Sequence, residues 1–206
     1  MFPQKKYSEI KNYCLDYFHM YYSVGKNLDF EKIDDVCNLI LQSIKEERNI
    51  FIIGNGGSAA IANHMLCDLS KGVSTNTNFL PKICSLSSSP ELITAIANDL
   101  GSEFIFSKQL ELFFKPKDIC IAISSSGNSP NIIKAIEFAN KNSIKSIGLS
   151  GFDGGILSKI SDISIHIDIK NYGLVEDMHQ SIFHIISHFI RMKNLDPKLN
   201  IEEVKF

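Results

Sequence analysis

A short apolar segment at residues 50–53 leads directly into a glycine-rich turn at residues 54–58. Four apolar residues bounded by glycine predict a buried strand, and the glycines let the backbone turn tightly and expose its amides. Ser58 lies where it could cap the helix predicted by the residues that follow. A strand, a glycine turn and a helix start form a ready anion site, because free N–H groups and the helix dipole both favour negative charge.

Predicted strands and helices alternate along the rest of the chain. The later strands are expected at residues 82–86, 118–123, 146–150 and 163–169. Helices are expected at residues 7–24, 59–66, 89–99, 102–114, 130–140 and 174–193. A second helix is expected to start from Asp29, and a short helix is expected to end near Lys159. This alternation predicts an α/β fold with a parallel sheet and helices on both faces. No strand separates the first two helices, so residues 1–48 are interpreted as a helical hairpin that serves oligomerisation and is part of the same domain. Residues 49–206 are interpreted as the α/β domain.

Composition excludes several classes of function. The net charge is −2 with both signs interspersed, so the chain lacks the basic patch of a nucleic-acid-binding protein. No segment approaches the roughly 18 apolar residues of a membrane helix, and the first residues do not resemble a signal peptide. The five cysteines are scattered without C-x-x-C spacing. We interpret them as buried thiols of a cytoplasmic protein.

The turn after the third expected strand, at residues 124–129, is rich in serine, and we call it the serine loop. Ligands of parallel sheets bind beyond the carboxyl ends of the strands, which selects the loops at 55–58, 87–90, 124–129 and 151–155. Hydroxyl groups and amides at a helix start suit the phosphate of a small metabolite, here held by neutral donors because the serine loop has no lysine or arginine. The alternative is that these serines only cap a helix and turn the chain.

Nucleotide motifs are only partly present. Residues 54–59 fit the G-x-G-x-x-A dinucleotide fingerprint, but the second strand ends in serines rather than in the acid that would bind a ribose hydroxyl. The P-loop pattern is also incomplete, because no Gly-Lys-Ser/Thr closes the turn. We therefore favour a phosphorylated metabolite over a nucleotide cofactor.

Two predicted helices carry residues suited to chemistry. His64 and Asp68 are four residues apart and share a face, as do Glu176, Gln180 and His184 on the last helix. Two histidines and two carboxylates could bind Zn²⁺, or they could act as an acid/base set without metal. We interpret the remaining histidines as structural or solvated: His19, His166, His179 and His188.

The glycine turn and the serine loop, each after a strand, together resemble the sugar-isomerase (SIS) domain, and most closely the phosphoheptose isomerases. The resemblance also covers the helical hairpin and residues 150–155. It implies a flavodoxin-like three-layer αβα sandwich with a five-stranded parallel sheet, assembled as a homotetramer with sites between subunits. The substrate-binding residues that it implies are Asn55, Gly56, Gly57, Ser58, Asn98, Asp99, Ser124, Ser125, Ser126, Asn128 and Ser129.

The chain departs from the family pattern in its candidate chemistry. The family's two histidines fall on His64 and His184, its glutamate base falls on Asp68, and its glutamine ligand falls on Glu176. An Asp-Arg pair of the family corresponds to residues 173–174, which are Gly-Leu. The resemblance thus implies catalysis by Asp68, Glu176 and His184, and a possible zinc site of His64, Asp68, Glu176 and His184.

These departures suggest an exchange of roles. An aspartate is one methylene shorter than a glutamate, which withdraws its carboxylate by about 1 Å and matters for a positioned proton transfer. We hypothesise that Glu176 reaches further and acts as the base, while Asp68 becomes a metal ligand. Glu176→Gln should then reduce turnover more than Asp68→Asn.

The expected function is a cytoplasmic, homo-oligomeric isomerase of sugar phosphates. By resemblance, it converts sedoheptulose 7-phosphate to D-glycero-D-manno-heptose 7-phosphate. One alternative is a non-catalytic SIS module that binds a sugar phosphate or a protein partner. Another is an isomerase of a different sugar phosphate.

Overall fold

The computed structural model describes residues 2–206 and contains one parallel sheet in this range. Its spatial order is β2-β1-β3-β4-β5. The strands are β1 Asn49–Gly54, β2 Lys82–Ser85, β3 Ile119–Ser124, β4 Lys145–Ser150 and β5 Ile163–His166. The five predicted strands and their parallel arrangement are confirmed.

Eight α-helices flank this sheet within residues 2–206. They are α1 Ile10–Gly25, α2 Phe30–Lys45, α3 Gly57–Cys67, α4 Pro90–Asp99, α5 Ser107–Phe113, α6 Pro130–Lys141, α7 Leu157–Ile160 and α8 Tyr172–Lys193. In this part of the chain, no helix combines the length and the apolar character that crossing a membrane requires.

The sheet is covered on both faces, as a buried parallel sheet requires. Side chains alternate along a strand, so Ile50 and Ile52 of β1 face one apolar core while Phe51 and Ile53 face the other. The first core is completed by α2, α3 and α8, and the second by α4, α5, α6 and α7. These two cores confirm the three-layer αβα sandwich.

The N-terminal hairpin is integrated into this sandwich to different degrees. Helix α2 contributes the fully buried Val36 and Ile40 to the first core, and Asp29 caps it by accepting a hydrogen bond from the Lys32 amide. Helix α1 has no fully buried residue and lies on α8 through a hydrogen bond from the Tyr17 hydroxyl to Asp177. Its expected role in oligomerisation stays a prediction.

Two local expectations need correction. Ser58 does not cap α3, because the chain turns at Gly56 with φ of 53° and the helix already begins at Gly57. The single helix expected at 102–114 is divided into a 3₁₀ turn, Ser102–Phe104, and the shorter α5.

The end of α3 has a feature that periodicity does not reveal. The helix continues into one π-helical turn, Asp68–Gly72, in which the Val73 amide bonds the Asp68 carbonyl. Such widened turns are frequent at functional sites because they shift side chains relative to a regular helix. This one begins at a candidate catalytic residue.

Candidate functional site

The carboxyl ends of β1 and β3 bring the glycine turn and the serine loop together. Gly54 pairs with Ile123 in the sheet, so the loops that follow the two strands lie side by side. They enclose a cavity of about 290 Å³, which we call the serine cradle. Its lining residues are Asn55, Gly56, Gly57, Ser58, Ile123, Ser124, Ser125, Ser126, Ser129, Tyr172 and Glu176.

The cradle offers neutral hydrogen-bond donors to a ligand. Ser58, Ser124 and Ser125 are buried, and the Ser125 hydroxyl has no hydrogen-bond partner among residues 2–206. The Ser124 and Ser129 hydroxyl oxygens are 3.4 Å apart. Gly57 opens α3, whose first amides lack partners within the helix and favour an anion. The arrangement suits a phosphate group.

The loop at residues 151–155 packs closely against the serine loop. A Cβ on Gly127, which has φ of 64°, would lie 2.1 Å from the carbonyl oxygen of Gly154. Asn128 does not line the cradle; its side chain accepts a hydrogen bond from the Ile156 amide at 3.0 Å. In this chain Asn128 therefore links the serine loop to the segment that begins at Ile156.

Asn98 and Asp99 lie apart from the cradle. Both are exposed at the carboxyl end of α4, where the Asn98 amide donates to Asp99 at 2.8 Å. The start of α4, at Pro90, follows the carboxyl end of β2, so the helix carries these two residues roughly 12–14 Å away along its axis. Within one chain, they are not brought together with the other predicted substrate-binding residues.

A second group of predicted residues forms the His–Asp–His cluster: His64, Asp68 and His184. One ligand atom of each lies within 4.8 Å of the others. The His184 Nδ1 is 3.0 Å from Asp68 Oδ2, and the His64 Nε2 is 3.4 Å from Asp68 Oδ1. The two imidazole rings meet edge to face with centroids 5.0 Å apart. The structure thus brings together three residues from helices α3 and α8 and the π-helical turn.

These residues fit a zinc ion. Two imidazole nitrogens and a carboxylate oxygen are a usual donor set for Zn²⁺. The Asp68 Oδ2 is buried and forms no hydrogen bond with residues 2–206, because the neighbouring His184 nitrogen is close without being aligned. Gln180, one turn before His184, places its amide nitrogen 3.1 Å from the His184 Nε2. A buried carboxylate oxygen without a donor is a site where a cation would be stabilising.

Glu176 does not lie within the same distance of these three residues, and the expected four-residue metal set stays a prediction. Its carboxylate lies against Gly57 in the serine cradle, where an added Cβ would be 2.5 Å from Oε2. Burial raises the pKa of the Glu176 carboxyl, and the negative charge of Asp177 raises it further. The Glu176 carboxylate thus lies at the start of α3 rather than at the imidazoles.

The other histidines differ in their surroundings. His179 is fully buried on the inner face of α8, with Nε2 3.4 Å from the Ser150 carbonyl and Nδ1 without a partner in the described chain. Burial lowers its pKa to about 4. His188 is exposed beside His184, with ring centroids 5.8 Å apart. His166 Nε2 lies 3.2 Å from the Phe152 carbonyl.

Tyr172 is a cradle residue that the sequence reasoning missed. Its ring contacts that of Phe152 at a centroid distance of 4.8 Å. The last helix was expected to begin at Leu174, two residues too late. Asn171 is the signal that could have found Tyr172, because its side chain caps α8 by accepting from the Leu174 amide.

Comparison with known proteins agrees with this geometry. A family model described as the SIS domain matches residues 16–151. A phosphoheptose isomerase of Geotalea daltonii is 34% identical over 185 residues, covering 90% of this chain and 95% of that protein. A probable phosphoheptose isomerase of Thermoplasma acidophilum is 34% identical and covers 81% of this chain and 91% of that protein.

Solved structures give the same result. A phosphoheptose isomerase from Neisseria gonorrhoeae superposes with a TM-score of 0.81 at 25% identity, covering 89% of this chain and 100% of that one. One from Francisella tularensis gives 0.79 at 26% identity, covering 89% and 96%. The chain therefore belongs to the SIS-domain family and, within it, to the phosphoheptose isomerases.

Proposed function

We propose that this chain interconverts sedoheptulose 7-phosphate and D-glycero-D-manno-heptose 7-phosphate. Family membership makes it an aldose–ketose isomerase, and its relatives, which are phosphoheptose isomerases, support the heptose substrate. One observation carries the proposal: α3 and α8 both begin at the serine cradle and both reach the His–Asp–His cluster further along. From Gly57 to His64 the helix rises roughly 10 Å, which separates a phosphate grip from a reactive end.

The cradle would hold the phosphate. The hydroxyls of Ser58, Ser124, Ser125 and Ser129 and the first amides of α3 are donors that need no counter-charge. Hydrogen bonds to an ionised acceptor are about twice as strong as neutral ones, so several of them can anchor a dianion. The remaining carbons of the sugar would then extend along the two helices.

The His–Asp–His cluster would hold zinc through His64, Asp68 and His184. When bound, such an ion supplies Lewis-acid polarisation of the sugar's carbonyl and hydroxyl oxygens. His64 and His184 are oriented by Asp68, which lies between them. The donor set and the orphaned Asp68 Oδ2 support this assignment.

The proton transfer needs a base and an acid. In the ketose-to-aldose direction, a base removes a proton from the first carbon and returns it to the second, while an acid serves the two oxygens. We assign the base to Glu176, since its raised pKa brings a carboxylate closer to the strength that the step requires. His184 is assigned as the acid.

The test compares two isosteric substitutions. Glu176→Gln should reduce turnover of sedoheptulose 7-phosphate by about 10³-fold or more, within the range of lost general-base catalysis. Asp68→Asn should cost less, because the asparagine oxygen can still act as a ligand. The opposite ranking would show that Asp68 is the base.

The same assay separates the enzyme from a non-catalytic SIS module. The unsubstituted protein in D₂O should incorporate solvent deuterium into the sugar, whereas a binding module would bind it without exchange. A panel of pentose, hexose and heptose phosphates separates the heptose substrate from other sugars. Zinc retained through purification and quantified by mass spectrometry tests the metal.

We also propose that the protein is a homotetramer with sites completed between subunits. Phe18 and Tyr22 of α1 expose 68% and 69% of their surfaces, and Ile185 of α8 exposes 56%, which is apolar surface that a second copy could cover. Asn98 and Asp99, remote from their own cradle, would reach a neighbour's site. Light scattering tests the tetramer.

We place the protein in the cytoplasm, since its five thiols are unpaired, all within the described range. The expectation that the thiols are buried is confirmed for Cys37 and Cys120 but is wrong for the exposed Cys14, Cys67 and Cys84.

A further inference from the structure

The serine cradle contains a negative charge of its own. Glu176 is the one ionisable acid or base among the lining residues apart from the Tyr172 phenol, and no lysine, arginine or histidine lines the cavity within residues 2–206. Its carboxylate forms no ion pair with a described residue and rests against Gly57 at the start of α3. A carboxylate thus lies beside the free amides at the start of α3, in the same cavity as the unpartnered Ser125 hydroxyl, where an anion is favoured.

A phosphate seated in the cradle would lie beside the Glu176 carboxylate. The cavity measures about 290 Å³, and Glu176 covers the Gly57 backbone that a phosphate would approach. Like charges at close range in a partly buried site repel strongly, because little water screens them. Since no cation in the cradle balances both groups, a seated phosphate would favour movement of the Glu176 carboxylate away from Gly57.

We propose that Glu176 is an internal stand-in for the substrate's phosphate, and that phosphate binding expels its carboxylate from the cradle toward the reactive end of the sugar. The base is then delivered only when the substrate is seated. This inference rests on the proposed function, and it concerns how the same site is regulated.

The fold provides a route for this movement. Glu176, Gln180 and His184 are spaced by four residues on α8 and share one face, so a carboxylate that leaves Gly57 can turn toward the His–Asp–His cluster. The side chain is held in the cradle by contact with glycine rather than by a salt bridge. Its raised pKa, caused by burial and by Asp177, agrees with a carboxylate that lacks a counter-charge there.

The test measures binding of inorganic phosphate by titration calorimetry. Glu176→Gln keeps the shape of the side chain and removes its charge, so phosphate should bind at least tenfold more tightly than to the unsubstituted protein. Glu176→Ala should change affinity in the same direction. Equal or weaker binding by both variants would overturn the proposal.

Asp177→Asn is the matched control. It removes the same charge one residue further along, but its side chain bonds Tyr17 of α1 instead of facing the cradle. Phosphate affinity should change by less than threefold. A tightening as large as that of Glu176→Gln would mean that general charge, and not occupation of the cradle, limits binding, and it would also overturn the proposal.

The result is independent of whether the heptose assignment is correct. Phosphate binding requires no turnover, so a protein inactive on sedoheptulose 7-phosphate can still show the tightening. Conversely, an active isomerase in which Glu176→Gln binds phosphate no better keeps the proposed function and loses this inference. The two failures are therefore distinguishable.

Discussion

The serine cradle and the His–Asp–His cluster are built in different ways. The cradle is made from backbone turns at the ends of two paired strands and is braced where Gly127 meets Gly154. The cluster is made from side chains of two neighbouring helices, so its geometry depends on the length of each side chain. The comparison teaches that the sheet fixes the proposed binding end, whereas the proposed chemical end depends on side chains from two helices, on which Asp68 and Glu176 lie in different places.

Breaking the cluster should leave the cradle intact. His184→Asn should lower kcat by about 10³-fold, because it removes the proposed acid and disturbs the zinc ligands. Affinity for inorganic phosphate should stay within threefold, measured by calorimetry beside steady-state kinetics. His188→Asn is the control, since His188 is exposed next to His184 and lies outside the cluster. A large loss of phosphate affinity in His184→Asn would show that the two regions are coupled.

The buried face of α8, which joins the two regions, should make stability depend on pH. Burial lowers the pKa of His179 from 6.5 to about 4, so the unfolded chain binds a proton that the folded chain rejects. The contribution of neutral His179 to the free energy of unfolding should be fully present above pH 6.5 and should fall by roughly 3 kcal/mol as the pH drops to 4.

Urea unfolding at several pH values measures this dependence. In His179→Gln the free energy of unfolding should lose that part of its dependence between pH 6.5 and 4, whereas His188→Gln should keep it. Identical slopes in His179→Gln and the unsubstituted protein would contradict the assignment.

A single hydroxyl tests the cradle alone. Ser125→Ala should raise KM for sedoheptulose 7-phosphate about tenfold and change kcat by less than threefold, since a hydrogen bond to a charged group contributes about 1.5–3 kcal/mol. Stability should hardly change, because the Ser125 hydroxyl has no partner in the described chain. Ser146→Ala is the control: it should lower the free energy of unfolding and leave KM unchanged, since Ser146 bonds Asn140 and Asp162 away from the cradle. An unchanged KM in Ser125→Ala would remove Ser125 from the phosphate site.

Much of the fold follows from local sequence. Apolar runs bounded by glycine and serine located all five strands, because a doubly covered parallel sheet demands continuous apolar segments. The loops that flank the cradle were predictable for the same reason, since parallel strands place their carboxyl ends along one edge. The i, i+4 spacing of His64 and Asp68 predicted a shared face. The same spacing along the last helix pointed to His184 as their partner, and the resemblance to the family supported it.

The remaining features depend on tertiary contacts. No local pattern distinguishes a regular end of α3 from the π-helical turn at Asp68. This turn packs on α8, which is at least 100 residues away in the sequence. The place of Glu176 depends on the absence of a side chain at Gly57, on another helix. Asn98 and Asp99 were grouped with the site by resemblance, and their separation appears only once α4 is placed.

Because α3 and α8 both begin at the serine cradle, the two helices would set the length of substrate that the proposed site accepts. Helical rise sets the span between the phosphate grip and the imidazoles at roughly 10 Å, and neither helix can shorten it without unwinding. A ketose phosphate with too few carbons, anchored at the same end, would stop short of the acid and base. The fixed rise of the two helices would thus select sugars by length, and no side chain would be needed to exclude the smaller molecule.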